Sequence, residues 1–166
     1  MMKKVIVIGC PGSGKSTFSR ALRDATGLPL FHLDMMCWNA DQTRVERTFF
    51  LERLEAVLTT DAWIIDGNYA STMERRMQAC DTVIFLDYPT ELCLEGIVAR
   101  RGKARPDMPF VASGAEDTEF LAFIKDYQAQ SRPQVLKLLG ECREKEIHVF
   151  SDRAEADAFL HRCIGG

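Results

Sequence analysis

Residues 9–16 read Gly-Cys-Pro-Gly-Ser-Gly-Lys-Ser, and no other stretch restricts the possible folds so far. The spacing is that of a phosphate-binding loop, G-x-x-x-x-G-K-[ST], and the flanks are those such a loop requires. Ahead of it, Lys3-Lys4-Val5-Ile6-Val7-Ile8 is a short apolar, β-branched run that predicts a buried parallel strand. Behind it, Thr17 to Ala25 predicts a helix with Phe18, Ala21, Leu22 and Ala25 on one face. Glycines let consecutive backbone N–H groups converge on a polyphosphate, because they carry no Cβ and accept positive φ. The loop then enters a helix N-terminus, whose unpaired N–H groups and dipole favour an anion. Gly9, Pro11, Gly12, Ser13, Gly14, Lys15, Ser16 and Thr17 are therefore expected to bind ATP. Lys15 would reach the β- and γ-phosphates, and the Ser16 hydroxyl would hold Mg2+.

At 166 residues the chain is read as one domain, 1–166, long enough to bury a core. A net charge of −3 argues against a cationic face for nucleic acid. No apolar run approaches the roughly 18 residues of a membrane span, and the first residues show no signal-peptide pattern. A cytoplasmic, non-membrane protein is expected, as a monomer or weak dimer. The six cysteines are scattered without a C-x-x-C pair and read as reduced thiols, with Cys10 filling space inside the loop.

Helices alternate with short apolar strands, which predicts an α/β fold with a parallel sheet and right-handed crossovers. Leu30 to Asp34 is the second strand, and residues 35–43 read as irregular. A helix is expected from about Arg44 to Thr59, with Phe49, Phe50, Leu54, Val57 and Leu58 as its apolar stripe. Ala62 to Asp66 is the third strand; Ser71-Thr72-Met73-Glu74 fits a capping box that opens a short helix. Asp81 to Asp87 is the fourth strand, and Thr90 is placed to cap the next helix, which runs to about Arg101. Residues 102–114 carry two prolines and two glycines and read as a loop. A long helix from about Glu116 is expected to break near Pro133 and reach about Cys142. Glu146 to Phe150 is the fifth strand and Ala154 to Cys163 the last helix.

In an open α/β sheet the ligand lies outside the carboxyl ends of the strands, so Asp34, Asp66 and Asp87 should converge with the loop. Asp66 and Asp87 are the two candidates for a Mg2+ partner opposite Ser16; Asp66 is preferred, because Gly67 lets a phosphate approach. Asp34 is expected to orient an acceptor hydroxyl or take its proton. His32 is read as a core or sheet-face residue without chemistry. Arg100, Arg101, Lys103 and Arg105 place four positive charges in six residues. With Gly102, Gly114, Pro106 and Pro109 around them they suit a lid, from which Arg101 and Arg105 would neutralise a transferring phosphoryl group. Arg132 is a further candidate for the same space.

The phosphate loop, Asp66-Gly67 and Arg101-Gly102 with Arg105-Pro106-Asp107 resemble the adenylate-kinase-like P-loop kinases. His32-Leu33-Asp34, Trp63-Ile64-Ile65-Asp66-Gly67-Asn68-Tyr69 and Arg105-Pro106-Asp107-Met108 are similar to the small bacterial chains labelled DNA topology modulation proteins. The resemblance implies a three-layer P-loop NTPase fold with a five-stranded parallel sheet in the order 2-3-1-4-5. It also implies an acceptor-binding segment at about residues 35–60, a short lid at about 101–115, and Asp152 and Arg153 near the adenine of ATP. Adenylate kinases follow the Asp-Gly pair with Phe-Pro-Arg, whereas Asn68-Tyr69-Ala70 stands here, which argues against AMP as acceptor. Asp34 is instead similar to the acceptor-side aspartate of shikimate- and gluconate-type kinases.

The expectation is an ATP- and Mg2+-dependent small-molecule kinase that phosphorylates a nucleotide, nucleoside or small hydroxyl acceptor. Its alternative is a nucleotide-binding regulatory protein with weak ATPase activity that acts on a macromolecular partner.

Overall fold

The computed structural model describes residues 1–111 and 118–165. The elements in chain order are β1 (Lys4–Gly9), α1 (Lys15–Thr26), β2 (Leu30–His32), α2 (Leu33–Cys37), α3 (Arg47–Leu58), β3 (Trp63–Asp66) and α4 (Ala70–Ala79). They continue with β4 (Thr82–Leu86), α5 (Thr90–Arg100), α6 (Thr118–Gln130), α7 (Arg132–Glu141), β5 (Glu146–Phe150) and α8 (Arg153–Ile164). All strand pairs are parallel, as the alternation of helices and strands predicts, and their order is β2-β3-β1-β4-β5, as the family resemblance implies.

The three central strands are apolar because both of their faces are covered. Val5 to Ile8, Trp63 to Ile65 and Val83 to Phe85 are all 0% exposed. Alternation then splits them between two cores. Ile6, Ile8, Ile65 and Phe85 pack with side chains of α2, α3, α4 and α7. Val5, Val7, Ile64 and Ile84 pack with those of α1, α5, α6 and α8 on the other face. Each fully buried large side chain contributes about 1.5–3 kcal/mol, so the layers fix the strand ends firmly.

Several local expectations change. β2 ends at His32, and Asp34 lies in the first turn of α2 instead of at a strand end. Leu33, Met36 and Cys37 are buried at i, i+3 and i+4, which turns the chain into a helix over the core. Residues 38–44 are a tight turn: Trp38 and Arg44 form an antiparallel bridge, and the Thr43 carbonyl accepts from Asn39 N at 2.8 Å. α3 therefore starts at Arg47, and its buried stripe is Phe50, Leu54 and Leu58, whereas Phe49 is 57% exposed.

The capping box at Ser71 does not form. α4 begins at Ala70 behind Tyr69, without a side-chain cap, and the Ser71 hydroxyl accepts from Arg47 instead. Thr90 is the first residue of α5, not its cap. The expected break lies at Ser131, between α6 and α7, with Pro133 in the first turn of α7. The expected helix start at Glu116 and lid residues 112–115, Gly114 among them, lie outside the described residues. Among the described residues no helix is long and apolar enough to cross a membrane.

The phosphate loop rests on α5 through two glycines. A Cβ at Gly96 would lie 2.0 Å from the Gly12 carbonyl oxygen, and one at Gly12 would lie 2.0 Å from that of Cys93. Both obstacles are backbone and cannot rotate away. Gly96→Ala is therefore expected to lower stability by about 1–3 kcal/mol in urea unfolding and to weaken ATP binding as the loop is pushed off α5. A wild-type midpoint and affinity in this variant would contradict that packing.

Candidate functional site

A cleft of about 900 Å3 opens where the strands end and the phosphate loop begins. Pro11, Gly12, Gly14, Lys15, Ser16 and Thr17 form one end, with Arg153 beside them. Gly14, at φ 92°, is the N-cap of α1 and brings no side chain to the helix's first N–H groups. The Ser13 hydroxyl is buried with no hydrogen-bond partner among the described residues. An uncapped helix start and an orphaned donor beside it fit a phosphate group.

Lys15 is half-buried, and its Nζ donates to the carbonyls of Gly9 at 3.0 Å and Cys10 at 3.3 Å. Burial lowers the pKa of this ammonium, and the carboxylates of Asp66 and Asp34 oppose that shift. The amine thus lies in the field of both Asp66 and Asp34. Gly9 N donates to Asn68 Oδ1 at 3.2 Å, which ties the start of the loop to the turn after β3.

Asp66 ends β3, is 5% exposed and lines the cleft. Its Oδ2 is bonded to His32 Nδ1 at 2.7 Å, and the two residues are register partners across β2 and β3. His32, read from the sequence as inert, is therefore the group that orients this carboxylate. The other candidate is committed elsewhere. Asp87 takes Arg132 in a bidentate pair, with Nε at 2.9 Å and Nη2 at 2.9 Å, and does not line this cleft. That pair also withdraws Arg132 from the place the sequence suggested.

Among the described residues no cluster of three or more histidine, cysteine or acidic side chains is arranged to hold a metal. The Ser16 hydroxyl and the second oxygen of Asp66 are hard oxygen donors of the kind Mg2+ takes, with the rest of its shell left to phosphates and water. Arg20 Nη1 donates to Ser16 Oγ at 2.7 Å, so an ion there would displace this guanidinium. Arg20 was not singled out from the sequence, although i to i+4 on one helix places it on the face of Ser16.

At the other end stands Asp34, whose Oδ1 accepts from the Tyr69 hydroxyl. Burial raises the Asp34 pKa, while Tyr69 and Lys15 hold it down. Trp38 and Arg44 form the wall, the guanidinium 4.4 Å above the indole, and Phe110 meets Trp38 edge-on at 5.7 Å. From α5 and the segment after it, Arg100, Lys103 and Arg105 line the cleft, whereas Arg101 is exposed and does not. Arg100 is the lid-side arginine that the sequence reading did not select. Burial and the neighbouring Arg105 push its pKa down to about 10. Arg105 Nε lies 3.5 Å from Asp107 Oδ1. Of the two residues expected near adenine, Arg153 lines the cleft, while Asp152 Oδ1 accepts from Glu155 N at 2.9 Å and caps α8.

No protein-family model matches this chain and no curated protein sequence is significantly similar to it, which leaves the resemblance to DNA topology modulation proteins without support. Among solved structures, the crystal structure of shikimate kinase from Bacteroides thetaiotaomicron is 19% identical with a TM-score of 0.57, over 98% of this chain and 96% of that one. Shikimate kinase from Acinetobacter baumannii, solved in complex with shikimate, is 16% identical with a TM-score of 0.64, over 98% and 90%. At these identities the likeness establishes the architecture: the chain has the fold of these two shikimate kinases.

Proposed function

We propose that the protein is an ATP- and Mg2+-dependent kinase of a small hydroxyl-bearing acceptor. One observation carries this reading: Lys15 on the phosphate loop and the carboxylate of Asp34 face each other within one cleft. The neighbour solved with shikimate places small polyhydroxy acids among the acceptors to test, beside nucleosides and nucleotides.

The loop N–H groups and Lys15 bind the β- and γ-phosphates, and Ser16 and Asp66 hold the metal. A bound Mg2+ supplies neutralisation of the phosphate oxygens. His32 keeps Asp66 turned toward the cleft. Asp34 receives the proton of the acceptor hydroxyl as that oxygen bonds to the γ-phosphorus and the bond to the ADP oxygen breaks. Burial raises its pKa, which makes it a stronger base than an exposed aspartate. Arg100 and Arg105 stand where charge spreads over the transferring oxygens. The segment from Lys103 to Met108 lines the cleft, and its closure over bound substrates would keep water from replacing the acceptor.

Arg105→Ala is expected to lower turnover roughly 10²-fold while ATP affinity changes less than about threefold, because the guanidinium serves the transition state more than the ground state. Equal losses in affinity and turnover would place Arg105 in nucleotide binding alone. The functional reading itself is tested by ADP release at fixed Mg2+ with each acceptor class in turn and Lys15→Ala as blank. An acceptor that stimulates Lys15-dependent ADP release supports it. No stimulation by any class, with ATP still bound, removes it.

A further inference from the structure

The turn 67–69 touches both ends of the cleft, and one side chain holds it. Arg76, in α4, is 0% exposed. A fully buried arginine is uncommon unless its donors are met. Its Nη1 donates to the Gly67 carbonyl at 3.1 Å, and its Nη2 to the carbonyls of Asn68 and Tyr69. Nε donates to Thr72 Oγ1 at 3.1 Å. Among the described residues no carboxylate hydrogen-bonds to it, so this cation is spent on three consecutive backbone carbonyls. Held this way, Tyr69 adopts φ 34°, a left-handed conformation that a non-glycine residue keeps only where its surroundings impose it. The side chains of the turn then point in two directions. Asn68 meets the start of the phosphate loop, and Tyr69 meets Asp34.

We propose that Tyr69 is a positioning residue for phosphoryl transfer: its hydroxyl, aimed by the Arg76-held turn, occupies one oxygen of Asp34 and leaves the other to take the acceptor's proton. The assignment rests on the kinase reading of this cleft. A carboxylate has two equivalent oxygens, and a base that must receive one proton from one direction gains from having a single oxygen free. Burial and the nearby Asp34 raise the Tyr69 hydroxyl far above its usual pKa, so it stays protonated and remains a donor. Donation to an ionised carboxylate stabilises the charged form. The other groups facing Asp34 are the cations Lys15, Arg100 and Arg105, the carboxylate of Asp107 and the Cys37 thiol. Tyr69 hydrogen-bonds to the carboxylate and so fixes its direction as well as favouring its charge.

Tyr69→Phe keeps the ring, which packs 5.9 Å from Phe50, and removes one oxygen. Turnover is expected to fall about tenfold, a part of the roughly 10²–10⁴ that a positioned base contributes. The acid limb of the kcat/KM profile should move to higher pH, because ionised Asp34 has lost its donor, with ATP affinity within about twofold of wild type. An unmoved acid limb together with wild-type kcat would overturn the proposal. A second readout needs no turnover: a 13C titration of the Asp34 carboxyl, assigned by its loss in Asp34→Asn, should shift upward in Tyr69→Phe. Absence of acceptor-stimulated turnover in the wild type would remove the kinase reading, whereas an unmoved Asp34 titration would remove the role of Tyr69.

Discussion

Replacing Lys15 with alanine is expected to cut phosphoryl transfer by about 10³-fold and to leave the fold intact. The amine is the loop's one mobile full charge, and it can serve the phosphate without being needed by the core. Its contacts are two backbone carbonyls of the loop itself, and no apolar cluster includes it. The folded state lowers its pKa, chiefly through burial. A lysine with a depressed folded-state pKa binds fewer protons when folded than when unfolded, so its charge opposes folding at neutral pH and the opposition fades as pH rises. Removing it should therefore leave the thermal midpoint unchanged or higher. Calorimetry and a transfer assay on the same preparation check both halves. Loss of activity together with a large fall in midpoint would mean that the lysine holds the loop and not the phosphate.

Asp34→Asn should preserve ATP binding and reduce transfer by roughly 10²–10⁴-fold, the range for loss of a positioned base. Asparagine keeps the size and the Tyr69 contact but cannot take a proton. A stability change should accompany the loss. The folded state raises the Asp34 pKa, mainly by desolvation, so the folded chain binds more protons there than the unfolded chain. Stability then falls as pH rises through the interval between the unfolded and folded pKa values, and above that interval the charged carboxylate is a net burden. The asparagine variant should melt higher than wild type at pH 7, and the difference should shrink as pH falls below the ordinary carboxylate range. A catalytic group held at some expense to stability behaves this way. Wild-type transfer in this variant would reduce Asp34 to a turn residue.

The architecture was legible because each strand is a short apolar run next to a helical pattern, and the phosphate loop marks the strand that must sit centrally. Errors arose where tertiary contacts override local pattern. Leu30-Phe31-His32-Leu33-Asp34 reads as one strand, yet Leu33 turns inward with Met36 and Cys37, a spacing too short to signal a helix by itself. The capping box at Ser71 fails because α4 already begins at Ala70 behind Tyr69, which puts Ser71 inside the first turn and not at its cap. Arg101 was singled out with Arg105, yet α5 ends at Arg100 and it is Arg100 that lines the cleft. The His32–Asp66 pair joins residues 34 positions apart. Strand pairing, not spacing, brings them together. Asp41 illustrates the opposite case: its carboxylate accepts from Thr43 N at 3.0 Å, an Asx turn whose residues were visible but were read only as irregular chain.

The most direct test of the central claim is 31P NMR of one reaction mixture containing ATP, Mg2+ and the stimulating acceptor, run in parallel with wild type, Lys15→Ala and Asp34→Asn. If Lys15 and Asp34 act at two ends of one transfer site, the wild type gives a phosphate-ester resonance that grows as the γ-phosphate of ATP declines, with little inorganic phosphate, and both variants give neither. Inorganic phosphate as the sole product, or ester formation at the wild-type rate in Asp34→Asn, would contradict it.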